Sequence, residues 1–457
     1  MNDWFEAEQF VEQAHEAYEA GRWGEAESAL RNALELNPYQ AEWHFNLGLT
    51  LEASGRYRDA VGSFEEAAGL QNDDSQSALM VAVNLLRLEE PAQTLEWLER
   101  AEASDPKSAA VQATRIDALA RLGRHEQAEL TFYLGQELDP DYPDLYAAMA
   151  ESLLTRRQYD KAVWCLREAA RLDPHLPRVQ ARLAYAYAAT GRQERARQLY
   201  LRELREDPGD IDTLLDLGCL LVDMHRYTEG GEKFRRVLEM EPDNTDAHYY
   251  LGDLADRQGL NEEALVQFDV VLRLDSTYPV IRVQVAEQLI RRGREGDFKT
   301  ARKHLRAELL ELNRDPKRFE ADDLAELGTR MLDADQSGDA VGVFGRLLER
   351  RPNDATAHHH LSVAYFRTGD VSRGIESARA ALRLDPRCVP AMFNLAVANM
   401  RRRQLARARY WVDQALRVDP DDAVLRRLRL RLRFRVGGQV VGWVVSAIRR
   451  PRKRTTS

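Results

Sequence analysis

Large apolar, small and polar residues return along this chain at a fixed interval of 34 positions. Residues 41–74, 75–108 and 143–176 align class by class. Position 7 of the unit is a large apolar residue in most copies, as in Leu47, Val81, Met149 and Leu217, and position 8 is small, as in Gly48, Ala82, Ala150 and Gly252. Position 20 is alanine at Ala26, Ala60, Ala128 and Ala162, and position 24 is large at Leu30, Phe64, Leu98 and Phe268. Apolar residues three, four and seven apart make an amphipathic helix, and each unit holds two such runs. The small residues at positions 8 and 20 let the two helices approach closely.

The unit also carries its own punctuation. Nine of the sixteen prolines fall at position 32, among them Pro38, Pro106 and Pro140, where they close the second helix because proline cannot continue one. Glycine recurs at position 15, as at Gly55, Gly123 and Gly259, and suits the left-handed residue that ends the first helix. A period of this length decides the fold before any motif does.

These residues resemble the tetratricopeptide repeat family, and the resemblance covers residues 7–422. It implies an all-α, right-handed superhelical solenoid of antiparallel helix pairs. Twelve repeats fit: eight in 7–278, an irregular ninth in 279–320 that is 42 residues long, and three in 321–422. Of the eight extra residues, three are assigned to the turn at Arg294–Asp297 and five to a joint at Pro316–Glu320. The ninth repeat also has Asn313 where the closing proline is expected, which makes it the expected hinge between two arms.

In this family partners lie along the face made by helix A at positions 2, 5, 6, 9, 12 and 13. Here those positions give Phe45, Asn46, Leu49 and Met80 in repeats two and three, an apolar stretch. Repeats seven and eight give Asp212, Asp216 and Asp253 with Tyr249 and Tyr250, which would favour a basic ligand. A solvated acidic face is the plainer reading of the same residues. His360 and Asn394 stand in repeats eleven and twelve, where the face turns more basic. The two-carboxylate clamp that some relatives use on chaperone tails is absent, because Asn46 is flanked by Val11, His15, Gln76 and Met80, and Asn394 follows His359 and Val363.

Composition removes most other functions. The three cysteines, Cys165, Cys219 and Cys388, lie far apart, which excludes a paired-cysteine metal site and fits a reduced compartment. No phosphate loop, nucleophile elbow or zinc-protease motif is present, so the chain is expected to be no enzyme and to hold no cofactor or metal. The run His358-His359-His360 places neighbours on different helix faces, with His358 expected between helices and the other two on the open groove. The amino-terminal MNDWFEAEQF has neither a basic nor an apolar signal region, so a cytoplasmic protein is expected. Lysine supplies only seven of 65 basic residues, a bias associated with bacterial genomes.

Charge is divided unevenly. Net charge is −10, but residues 1–422 hold 54 basic against 75 acidic side chains, and residues 423–457 hold eleven basic and none acidic. Leu425, Leu428, Leu432 and Val436 have the spacing of a helix that covers the last repeat, although the alternation LRLRLRFRV over 428–436 fits a strand equally well. Beyond them, Val440–Ile448 with Trp443, followed by Arg449, Arg450, Arg452, Lys453 and Arg454, suits an anionic membrane surface or a fold-back onto the acidic face. The acidic body speaks against nucleic acid. The resemblance therefore implies a scaffold that binds a protein or peptide segment on its helix A face, with a peripheral membrane assembly factor as the alternative.

Overall fold

The computed structural model describes residues 2–71 and 74–433. Among them every regular element is helical, and they form two compact units, Met1–Lys233 and Phe234–Ser457. The first unit contains α1 (Asn2–Glu19), α2 (Trp23–Leu36), α3 (Ala41–Ala53), α4 (Tyr57–Leu70), α5 (Ser75–Arg87), α6 (Pro91–Ser104), α7 (Ala109–Arg121), α8 (His125–Leu138), α9 (Pro143–Thr155), α10 (Tyr159–Leu172), α11 (Val179–Ala189), α12 (Gln193–Glu206) and α13 (Ile211–Asp223). The division falls within α14 (Tyr227–Met240). The second unit continues with α15 (Thr245–Arg257), α16 (Asn261–Leu274), α17 (Ile281–Arg292), α18 (Asp297–Arg314), α19 (Ala321–Asp333), α20 (Ser337–Arg350), α21 (Ala355–Thr368), α22 (Val371–Leu384), α23 (Val389–Arg401), α24 (Leu405–Val418) and α25 (Ala423–Arg433). Odd-numbered helices through α23 are the A helices of twelve repeats and even-numbered ones the B helices.

In most repeats a small residue at position 8 of helix A faces a larger one at position 24 of helix B. Position 24 is phenylalanine in five repeats, and position 8 is glycine in four of them and Ile116 in the fifth. In three of the four a Cβ added to the glycine meets the ring: one on Gly48 would stand 2.6 Å from Phe64, one on Gly252 2.5 Å from Phe268, and one on Gly328 2.8 Å from Phe344. Those three rings are almost fully buried. Where position 24 is leucine, at Leu30, Leu98 and Leu166, position 8 is alanine, at Ala14, Ala82 and Ala150. Position 15 closes the turn between the helices in all twelve repeats with a residue at positive φ. Seven of these are glycines and five are Glu89, Arg157, His225, Asp335 and Arg403.

Five A helices begin on a side-chain cap at position 34 of the preceding repeat. Asp74, Ser108, Asp210, Asn244 and Asp354 each accept a hydrogen bond from a free backbone N–H of the first turn. Asp422 caps α25 in the same way, through Val424 and Leu425 N–H, so α25 stands where the A helix of a further repeat would begin. Its Leu425, Leu428 and Leu432 are buried against Met392, Ala396, Val412 and Ala415. The covering helix is thus formed and the strand reading of 428–433 is not. Val436 and the tail residues Trp443, Arg449, Arg450, Arg452, Lys453 and Arg454 lie outside the described residues.

The ninth repeat distributes its extra residues differently from the expectation. The turn at Gly293–Gly296 is lengthened as expected, but α18 runs on to Arg314, a turn longer than its 14-residue counterparts. The added turn of α18 ends just past Leu312, which is fully buried. The five residues assigned to the joint all lie beyond that helix: Pro316–Arg318 form a 3-10 turn, and Phe319, which is 4% exposed, and Glu320 lead into α19. One apolar cluster runs from Ala255 through Val283, Leu305 and Phe319 to Ala364, so the core passes through this repeat without a break.

The packing rule yields opposite signs for two glycines one helix apart. Gly48→Ala drives a methyl into Phe64 and should destabilise by about 1–3 kcal/mol. Gly62→Ala, on the exposed side of α4 with no atom within 4 Å of its added Cβ, should stabilise by about 0.5–1 kcal/mol. Urea unfolding of the two variants checks both, and a shared sign would overturn the account.

Candidate interaction surface on the A helices

Within each unit the A helices of successive repeats lie side by side, and at four joints position 13 of one ties to position 12 of the one before. The Arg121 guanidinium donates to the Leu86 carbonyl at 2.9 Å, and Arg367 donates to the Leu332 carbonyl. Arg87 pairs with Glu52 at 2.8 Å, and Arg291 with Asp256. These guanidiniums meet the carbonyls or carboxylates at the negative end of the preceding helix, where cations are stabilised. Reading positions 12 and 13 as ligand-facing missed this. The row loses those arginines to its own joints.

In the first unit the row opens with a cleft of 430 Å³ lined by Val11, Ala14, His15, Tyr18, Leu30, Glu42, Asn46, Leu49 and Thr50. It brings together Asn46 and Leu49, both half-buried. Phe45 turns from it onto the Phe64 ring, 5.3 Å between centroids, and Met80 packs at the edge of the same apolar cluster. A second cleft, of 480 Å³, is lined by Glu151, Leu154, Thr155, Arg178, Ala181, Arg182, Tyr185 and Asp216. Arg178 pairs with Asp212 at 2.8 Å and Arg182 with Glu151 at 3.4 Å.

Carboxylates outnumber their cations here. Burial pushes the Asp117 carboxyl up to about 6, with nearby Glu151 and Asp144 adding to the rise and Arg182 and Arg121 opposing it. Asp216 is also pushed up to about 6 by burial of its carboxyl and by Asp212, against a hydrogen bond from Tyr200. The Asp216 residue as a whole stays exposed, so the displaced water is local to the carboxyl end. Asp117, Asp144 and Glu151 occupy positions 9, 2 and 9 of repeats four and five, on the very list of positions read from the sequence, and went unremarked because those two repeats were not read out.

In the second unit most of the expected acidic and aromatic groups are spoken for. Tyr278 hydroxyl donates to Asp246 at 2.7 Å, Arg257 donates to Asp253 at 2.7 Å, and Gln288 donates to Asp256 at 2.9 Å. Tyr249 packs between Tyr250, Phe268 and Tyr278, and its hydroxyl is pushed up to about 12, chiefly by burial. Tyr250 stacks on Phe234 at 5.3 Å. The histidine run also differs from the expectation that two of its members stand open. His358 bonds the Pro352 carbonyl at 3.1 Å, His360 meets Thr329 at 3.2 Å, and His359 meets the Asn394 amide at 3.3 Å. Burial lowers His359 to about 4 and lowers His360 as well. Asn394 is 7% exposed and donates to Ser362 at 3.2 Å, so it joins two A helices and does not present its amide to a ligand.

A tetratricopeptide repeat family model matches residues 11–75, 79–143, 147–211, 215–279, 326–386 and 361–423. Human DnaJ homolog subfamily C member 7 is 25% identical over 242 residues, 53% of this chain and 44% of the human protein. Subunit 3 of the fission yeast anaphase-promoting complex is 19% identical over 246 residues, 54% of this chain and 37% of its own length. The chain thus spans less than half the length of these curated relatives. Among solved structures, the APC/C hetero-tetramer Cut9-Hcn1 aligns over 93% of this chain and 96% of its own with a TM-score of 0.44 at 14% identity. Yeast Tom70 aligns over 94% of each chain with a TM-score of 0.39 at 15% identity. Proteins built from these repeats are generally protein-interaction scaffolds. The matched segments cover most of the sequence, and the chain belongs to the tetratricopeptide repeat family.

Proposed function

We propose that the chain is a non-enzymatic scaffold that holds an extended segment of a partner protein along the A row of its first unit. The observation that carries the reading is the pair of clefts on that row, one apolar with a few polar groups at its rim and one lined by both carboxylates and arginines. An apolar side chain of the partner anchors against Leu49, Val11 and Leu30, with Asn46 placed to bond its backbone. Cationic side chains further along the segment meet Asp216 and Asp117, carboxyls that no arginine among the described residues pairs closely. The wide separation of Cys165, Cys219 and Cys388 along the chain fits a reducing, cytoplasmic setting.

A random-peptide selection on the full chain tests this. Selected peptides should combine an apolar anchor with basic residues, and Leu49→Glu should weaken them by at least about tenfold, since a charge in a desolvated anchor pocket costs 2 kcal/mol or more. Peptides unaffected by Leu49→Glu and by Asp216→Lys would remove the A row of this unit from the site.

The raised Asp117 carboxyl sets the sign of a pH effect. Its folded value of about 6 lies above the unfolded value of 3.8, so its contribution is fully present below the unfolded value and is lost as pH rises through about 6. Asp117→Asn should therefore raise the urea midpoint relative to the parent at pH 7.5, and the gap should close as pH falls from 6 towards 4. A gap that is constant across that range would show the carboxyl to be unperturbed.

A further inference from the structure

The repeated register supplies an internal control for every surface position. Positions 22, 25 and 26 face outward from helix B, and eleven repeats place at least one charged, polar or glycine residue among them. Repeat four alone places three large apolar residues there, Leu130, Tyr133 and Leu134, which are 66%, 55% and 57% exposed on α8. The neighbouring helix α10 adds Trp164 at position 22, 52% exposed. A line of ring contacts joins them under the surface: Tyr133 to Phe132 at 5.8 Å, Phe132 to Tyr146 at 5.5 Å, and Tyr146 to Trp164 at 5.9 Å. Nothing in the helix-pair fold requires these side chains, since the same positions elsewhere hold Glu, Arg and Gly. Exposed apolar clusters rimmed by charge mark association surfaces, and Tyr and Trp are the residues enriched in them.

We propose that this patch joins two copies of the chain, α8 against α8, about a two-fold axis parallel to that helix. The charges on either side choose the occupant. α6 precedes α8 in the row of B helices and α10 follows it, so such an axis sets repeat three of one copy against repeat five of the other, position for position. Position 25 then brings Glu99 to Arg167, and position 26 brings Arg100 to Glu168. Both pairs are of opposite sign. An axis across α8 would instead set Glu96 and Glu99 against the same two residues of the second copy. The patch therefore carries its own complement in one orientation only. This interface lies on the B helices and is independent of the peptide reading of the A row.

Sedimentation velocity on the full chain from about 1 to about 100 µM tests the proposal, with far-UV circular dichroism confirming that each variant is folded. The parent should show a species of twice the chain mass. Y133E and L134E, both at exposed positions, should each weaken it by at least about tenfold, in line with hot-spot losses above 1.4 kcal/mol. E99R and R167E should each weaken it severalfold, and the double variant should recover most of the loss. A short bis-maleimide should join L134C to itself beyond the parent's background. A parent that stays monomeric throughout, or a dimer that survives both Y133E and L134E, overturns the interface. A dimer that the double charge exchange fails to restore overturns the orientation.

Discussion

The distance between helix A and helix B at positions 8 and 24 governs everything else in this molecule. It is a close contact, met in most repeats by a small residue against a large one, as glycine with phenylalanine at Gly48 and Phe64 and as alanine with leucine at Ala82 and Leu98. Interiors are packed densely enough that one methyl group too many has nowhere to go. Because the spacing inside the pairs is held, the A helices come out side by side within each unit, and position 13 of one falls within reach of position 12 of the one before. The arginines at those joints follow from the pairing, and so does the cap at position 34.

That ordering explains why the fold was legible in the sequence and the site much less so. Period, helix pairs, turn residue and the covering helix with Leu425, Leu428 and Leu432 all depend on residue class at a fixed register, which a single sequence displays. Whether a side chain is free depends on a partner 32 to 35 residues away, which register does not display. Asn394 sits at a groove position yet is held by Ser362 and His359, and Asp246 is held by Tyr278. Asp117, in contrast, has only longer-range charges around it. In the ninth repeat the register located the lengthened turn and the joint, but the extra turn of α18 up to Arg314 goes with the burial of Leu312, which register does not display.

The A and B rows do different work for a chemical reason. Position by position the A row is close to its neighbours and mixes small, apolar and acidic groups, so it offers clefts between helices. The B row is studded with ion pairs such as Arg56 with Glu27 and Arg58 with Glu90, which keep it wet and separate from other proteins. Against that background the uncharged strip on α8 stands as an interruption.

The turn residue at position 15 carries a wider consequence. Five of the twelve turns hold a left-handed conformation with Glu, Arg, His or Asp, each at a cost of about 1–2 kcal/mol relative to glycine. Since the backbone keeps that shape whichever residue occupies it, the helix pair imposes the turn and the turn does not create the pair. Mutational drift at these sites is therefore absorbed as a loss of stability spread over many independent joints, and it leaves the phase of the repeat untouched.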